Sequence, residues 1–564
     1  MRCAVLIILC ILLLPFEMVL GQGVSESKHN LSATGKGRIK SMADDRVCIF
    51  CHTSHSSNPK APLWNRRQSG AVYTLYNSST LDATPGQPDG TSILCLSCHD
   101  GTVALGNTFK NPNSISFAQS MSKRGNLGTD LSDDHPISFV YDPSLASKDG
   151  ALVNPTTLPR HVLDQNNKLQ CTACHDSHRN LYGNFLKVTH ESSQLCLTCH
   201  DKQHWDNSSH NTSKSKWNGD KPNPWLHLDA PYPTVNQNGC GNCHDVHNAS
   251  GKERLFKKSD EESNCLDCHN GNVAIKNVEL QFAKPYRHDV YAYTDVHDPV
   301  ENELNTKRHV ECADCHNGHS ANITEAVAPF VSGANIGVRG IDRSGFQVNE
   351  AVNEYEICFR CHADNAMTPE STLRYLGTEN TRLDFDPNNI SMHPVIEQGK
   401  NSNPRGLLEP YNFNSILYCS SCHASDGTKA PKGPHGSSFP RILKANYNLD
   451  KTPQLGKSWP SLIQSNFTLC FECHNINAVT SMHQEISGGH FMETIGCNAC
   501  HDPHGYQGGT PSENAFGINF DRSVIQPNPL NGRMIDLDQK KCFMTCHDSQ
   551  GLVNYTHSAE GDDY

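Results

Sequence analysis

Cysteine is the residue that most restricts what this chain can become. Of its 26 cysteines, all but Cys3 and Cys10 fall into twelve pairs, and the second member of every pair is followed immediately by His. Eleven pairs read Cys-X-X-Cys-His: Cys48/Cys51/His52, Cys95/Cys98/His99, Cys171/Cys174/His175, Cys196/Cys199/His200, Cys240/Cys243/His244, Cys265/Cys268/His269, Cys312/Cys315/His316, Cys358/Cys361/His362, Cys419/Cys422/His423, Cys470/Cys473/His474 and Cys497/Cys500/His501. The twelfth, Cys542/Cys546/His547, carries one more residue between its cysteines.

A cysteine-rich exported chain ordinarily forms disulfides, and Cys-X-X-Cys alone would suit structural zinc. Neither explains a histidine at the same place twelve times. Cys-X-X-Cys-His is the attachment signature of c-type haem. Residues three and four apart share one face of a helical turn, so both thiols can reach one porphyrin while the adjoining imidazole turns to its iron. The expectation is twelve covalent haem c groups, the twelfth on an i, i+4 spacing that keeps the shared face.

The chain has 32 His, and setting aside the twelve motif residues leaves twenty for the sixth positions of the irons. Methionine is the rival sixth ligand and would raise the potential, but the ten Met recur at no fixed offset from the motifs. Some histidines do recur. His55, His178, His247, His319 and His504 each stand three residues after a motif His, an offset that suits the iron of a neighbouring haem better than their own. His135 and His393 precede proline, which biases them toward extended backbone, and His288 sits in a similar context. His161, His309 and His490 come shortly before a motif. With His29 and His435 these complete the expected distal ligands. His190, His204, His210, His227, His297, His483 and His557 share no context and read as surface or hydrogen-bonding residues.

Irons saturated by two histidines favour electron transfer over catalysis, so no catalytic residue is expected. The alternative is a multihaem reductase of a nitrogen oxyanion, with one open haem site, and no Cys-X-X-Cys-Lys motif supports it.

Apolar side chain is short for 564 residues: the hydrophobic set reaches 36%, and Gly and Pro number 40 and 31. Twelve porphyrins would supply the missing core. The expected fold is mostly coil with short helices around the motifs, little sheet, and a core of stacked haems. Motifs starting at Cys171 and Cys196 repeat 69 residues later at Cys240 and Cys265, an internal duplication. Motif-poor stretches suggest residues 22–160 with haems 1–2, 161–335 with haems 3–7, and 336–564 with haems 8–12. Residues 1–21, with an apolar run from Ala4 to Leu14, read as a secretory signal peptide, which places the protein in the periplasm or at the outer cell surface. No other stretch is long and apolar enough to span a bilayer. The net charge of −12 with scattered basic residues leaves no nucleic-acid footprint.

The segments VCIFCHTSH, ILCLSCHDGTVALGN, EESNCLDCHNGNVA, HVECADCHNGH and YEICFRCHADN resemble the large multihaem c-type cytochromes of metal-reducing bacteria, with doubled Cys-X-X-Cys-His motifs. That resemblance implies electron exchange with other redox cytochromes, often toward extracellular ferric or manganese oxides, and some such cytochromes assemble as homo-oligomers or filaments.

Overall fold

The fold is described from a computed structural model. It describes residues 22–58, 61, 63–109, 121, 125–293, 297–299, 301–302, 304–305, 309–365, 374–377, 380–401, 404, 406–450, 459–487, 496–523, 525–527, 535–536, 541–542, 544–546 and 555–556. The expected leader, His490 and His547 lie outside them; Cys542 and Cys546 belong to two short strands, Lys541–Cys542 and Met544–Cys546.

Helices are short, as Pro and Gly at almost every turn of the sequence dictate. Three of them end on a motif histidine: α1 (Gly90–His99), α3 (Glu261–His269) and α5 (Glu354–His362). Between them come α2 (Ser209–Thr212), capped by the Ser208 side chain, and α4 (Cys312–Cys315), which is itself a motif turn. The longest described helix is α6 (Ile476–Ser487). Acidic residues open α3 and α5, where Asp260 and Asn353 supply side-chain caps, the arrangement that satisfies free N–H groups at a helix start. Sheet is limited to two- and three-residue antiparallel pairings such as Gln22 with Asn180 and Gly340 with Val348.

The chain divides into two compact units, one of residues 1–202 with 238–257 and the other of 203–237 with 258–564. The first holds motifs one to five and the second holds the rest. Among the described residues neither shows one continuous apolar core. Buried side chains gather in separate clusters, of which the largest described joins Ile341, Tyr355, Phe359, Ala363, Phe385, Val395 and Ile396. Motif cysteines line these clusters: Cys419 packs on that one, Cys174 and Cys199 on a second, Cys470 and Cys497 on a third, and Cys268 on a fourth with Trp225, Val235 and Val273. At 1% exposure Phe359, between Cys358 and Cys361, is fully buried, which stabilises the α5 turn by about 2–3 kcal/mol. No helix among the described residues is long and apolar enough to cross a membrane.

Candidate functional site

The first eleven motifs fold into the turn their spacing requires, whereas Cys542 and Cys546 of the twelfth stand in short strands in place of the expected turn. The backbone N–H of His52, His175, His200, His244, His316, His423, His474 and His501 donates to the carbonyl of the first cysteine of its own motif at 2.8–3.0 Å. That i to i−4 bond closes one turn and puts both thiols and the imidazole on one side.

Every further feature of the site comes from residues distant in sequence. Ten motif histidines stand opposite a second histidine, with interplanar angles from 9° to 84°: His52 with His178, His99 with His29, His175 with His247, His200 with His135, His269 with His210, His316 with His435, His362 with His288, His423 with His504, His474 with His393, and His501 with His483. Their ring centroids are all 6.0–6.4 Å apart. A direct N–H···N bond of about 3 Å would draw the centroids in to about 5.3 Å. Two metal–imidazole bonds of about 2 Å, plus about 1.2 Å from each nitrogen to its ring centre, give about 6.3 Å. The spacing therefore fits an iron held between two imidazoles and does not fit paired histidines alone.

Many of the outward nitrogens are fixed as this fit needs, while Nδ1 of His435 is buried without a hydrogen-bond partner. Nδ1–H donates to a carbonyl oxygen from His99 to Gly125 (2.6 Å), His175 to Asn184 (2.9 Å), His244 to Arg254 (2.9 Å), His316 to Ala334 (2.8 Å), His423 to Arg441 (2.9 Å) and His501 to Phe516 (3.1 Å). Facing histidines do the same: His29 to Ser177, His135 to Pro136, His210 to Gly318 and His483 to Val479. His247 donates to the Asp134 carboxylate at 2.9 Å. A carbonyl can only accept, so Nδ1 carries the proton and Nε2 keeps its lone pair for a metal. Burial pushes His200 and His435 down to about 3 and His269, His474, His501 and His504 to about 4. These rings are neutral at physiological pH, the state in which imidazole binds metal.

One device recurs behind the motif histidines. The carbonyls of Asn184, Arg254, Arg441 and Phe516 all belong to residues with φ between 45° and 60°. Each stands two residues before the partner of an isolated antiparallel bridge to the motif histidine: Leu186, Phe256, Leu443 and Ile518. Left-handed backbone at a non-glycine residue costs about 1–2 kcal/mol and persists only where surrounding structure imposes it. Here it swings a carbonyl back onto the imidazole. The residue after each bridge partner then closes the loop on the motif's second cysteine. The N–H groups of Lys187, Lys257, Lys444 and Asn519 donate to the carbonyls of Cys174, Cys243, Cys422 and Cys500 at 2.9, 2.8, 3.0 and 2.8 Å.

The histidines three residues after a motif follow a rule. Asp176 and Asp502 accept the backbone N–H of His178 and His504 at 3.0 and 3.1 Å, an Asx turn that carries these side chains off their own motif. His178, His247 and His504 then face the motif histidine two motifs earlier, His52, His175 and His423. His55, in the first motif, is exposed. His319 packs on Trp205. Exposed His161 has left-handed backbone, with φ 67°, and His309 lies against Tyr293 and Glu301. Among the described ring pairs none of these four meets a motif histidine. His210 and His483, which carry no sequence signal beyond being histidine, do.

Successive motifs also touch. The thiols of Cys95 and Cys171, Cys196 and Cys240, Cys265 and Cys312, and Cys358 and Cys419 hydrogen-bond in pairs. Clamps hold them: Ser92 and Ser193, each three residues before a first cysteine, accept the N–H of Cys171 and Cys240 at 3.0 and 2.8 Å. Glu262 accepts that of Cys312, and Glu354 that of Ser420. Between these pairs, Cys51 with Cys98, Cys174 with Cys199, Cys315 with Cys361, Cys422 with Cys473 and Cys470 with Cys497 lie close enough to raise one member's pKa.

Backbone carbonyls of the half-buried second cysteines Cys243, Cys268 and Cys500 help to hold motifs five, six and eleven. Those of Cys243 and Cys500 accept the bonds from Lys257 and Asn519, and that of Cys268 accepts the N–H groups of Val273 and Ala274 at 3.2 and 3.0 Å. At motifs five, six and eleven the first cysteines, Cys240, Cys265 and Cys497, lie close to thiols of the neighbouring motif. None of the described cysteines is in a disulfide.

Comparison with known proteins agrees. Residues 165–204 and 233–274 match the family model of the doubled CXXCH motif, and residues 418–502 that of cytochrome c554 and c-prime. The chain is a multihaem c-type cytochrome. The first match coincides with the 69-residue duplication, and the second spans motifs nine to eleven. The cytochrome is 23% identical over 274 residues to the C-type polyheme cytochrome OmcC of Geobacter sulfurreducens (strain ATCC 51573 / DSM 12127 / PCA), an alignment covering 47% of this chain and 29% of that relative.

Proposed function

We propose that the chain is a dodecahaem electron carrier, exported through a leader cut before Gln22, that passes electrons along its haems in sequence order in the periplasm or at the cell surface. The ten histidine pairs at 6.0–6.4 Å carry this reading. Haem c supplies the one-electron chemistry when bound. The two cysteines of each motif hold it covalently, Cys243, Cys268 and Cys500 included. The motif histidine would hold the iron together with the facing histidine: His178, His29, His247, His135, His210, His435, His288, His504, His393 and His483 for motifs one to four and six to eleven.

The protein's own groups then set what the site can do. Two neutral imidazoles saturate the iron and leave no position for a substrate, which favours a carrier over a nitrogen-oxyanion reductase. Nδ1–H bonds to carbonyls make the imidazoles stronger donors, stabilising the oxidised state and keeping potentials low. Thiol contacts between consecutive motifs, from one to five and from six to eleven, support transfer in sequence order within each unit. The name of the Geobacter relative, a C-type polyheme cytochrome, supports other redox cytochromes as partners, and extracellular metal oxides are the proposed final acceptors.

A haem count by pyridine haemochrome against protein mass tests the stoichiometry. Twelve haems per chain are expected, with potentials low and spread over a range. Ten or fewer, or a single high-potential step in a redox titration, would overturn the reading.

A further inference from the structure

A permanent cation is buried where the first two motifs meet. Arg66 is 0% exposed, and an arginine does not give up its proton in a protein. Its backbone is laid against the first motif. Thr53 N–H donates to the Leu63 carbonyl and Asn65 N–H to the Cys51 carbonyl, both at 2.9 Å, and the Trp64 ring stands edge-on to that of His52 at 5.8 Å. Its side chain reaches the second motif. Nη2 donates at 3.0 Å to the carbonyl of Ser97, between Cys95 and Cys98, and at 3.2 Å to that of Ala104, while Nη1 donates to that of Leu105 at 2.7 Å.

Carbonyl dipoles solvate this charge without cancelling it. Arg66 Nε is buried and makes no hydrogen bond, and among the described residues no carboxylate forms an ion pair with the guanidinium. Arg360, the other buried arginine, has Asp314 at 3.2 Å and Glu301 at 3.9 Å. Burial dominates the pKa of Cys51, Cys98 and His99, and the Arg66 charge is felt at all three, downward each time. The opposing anion is Asp100, which is buried and accepts from the Tyr73 hydroxyl at 2.6 Å. Its charge is felt at Cys98 and His99. The cation is therefore opposed at the second motif and unopposed at Cys51 of the first.

We infer that Arg66 raises the potential of the haem on the first motif, and less that of the second, biasing electrons toward the first motif. The inference rests on the haem reading proposed above. A haem between two neutral imidazoles carries one more positive charge oxidised than reduced, so a fixed cation nearby disfavours the oxidised form. Burial keeps that interaction from being screened. Haem carboxylates leave the sign unchanged, since removing Arg66 subtracts the same positive charge with or without them. The bonds to Ser97, Ala104 and Leu105 also satisfy carbonyls at the end of α1. A neutral donor could fill that role, and only the charge acts on the potential.

The test is a potentiometric titration of the full-length, haem-loaded protein, followed by electron paramagnetic resonance of the low-spin irons, with a haem count on the same sample. Arg66→Gln should shift the reduction equilibrium of one haem about tenfold toward the oxidised form, about 59 mV for one electron, with every haem retained. Arg66→Lys keeps the charge and should titrate as the wild type does. Arg67→Gln removes a charge from the exposed neighbour and should leave the titration unchanged, because solvent screens that charge. Arg66→Met repeats the neutral substitution if the amide variant does not fold. An unmoved titration in a neutral variant that keeps its haems overturns the inference. So does an equal shift from Arg66→Lys or Arg67→Gln, or loss of haem from both neutral variants. A different haem count or high-spin iron in the wild type bears on the haem reading alone.

Discussion

Replacing Cys419 and Cys422 together by alanine removes one haem and interrupts the line of motifs in the second unit. Cys419 bonds to Cys358 of the preceding motif, and Cys422 lies beside Cys473 of the next, so the ninth motif is the link between the eighth and the tenth. The clamp on its turn survives, because Glu354 accepts from Ser420, which the substitution leaves in place. The expected result is a haem count lower by one and a current through an oriented protein monolayer lower by an order of magnitude or more. If the haem is lost and the current is unchanged, electrons do not follow the order of the motifs.

His435→Ala should have the second largest effect, and a local one. The His435 ring stands 6.0 Å from that of His316 and within 9° of parallel to it, and burial keeps it neutral. Removing the proposed sixth ligand of the seventh haem opens that iron. One haem per chain should change from six-coordinate low-spin to high-spin and bind carbon monoxide, and its potential should shift while the others hold. His55→Ala is the matching control. His55 carries the same three-residue offset from its motif as His178 and His504, but it is exposed and should leave every spin state unaltered. Equal effects at His55 and His435 would mean that local spacing, and not the observed facing of rings, governs ligation.

Local chemistry was readable from the sequence, and long-range pairing was not. Cys-X-X-Cys-His forces a single turn, and the structure forms that turn with a backbone bond from His to the first Cys. The shortage of apolar residues is likewise visible in the structure as separate buried clusters lined by cysteines. The motif-plus-three histidines pointed to neighbouring haems, and for His178, His247 and His504 the neighbour is two motifs back. His210 and His483 could not be singled out, since one sits on a one-turn helix and the other on an amphipathic helix where a histidine has no local mark. His161 and His309 precede motifs in the sequence, and the described ring pairs place His309 beside Tyr293. The left-handed carbonyl turns at Asn184, Arg254, Arg441 and Phe516 escape notice because the residues share no type; what they share is a backbone conformation imposed by the chain around them. The clamps at Ser92, Ser193, Glu262 and Glu354 act on partners 47 to 79 residues away, beyond the reach of any spacing rule.

The central claim is that facing histidines hold iron between them throughout the chain. Resonance Raman spectroscopy of the oxidised, full-length protein tests it most directly, through bands that report the spin and coordination state of every haem at once. The account predicts six-coordinate low-spin iron at all ten paired motifs. High-spin or five-coordinate signal amounting to more than two haems per chain would contradict it.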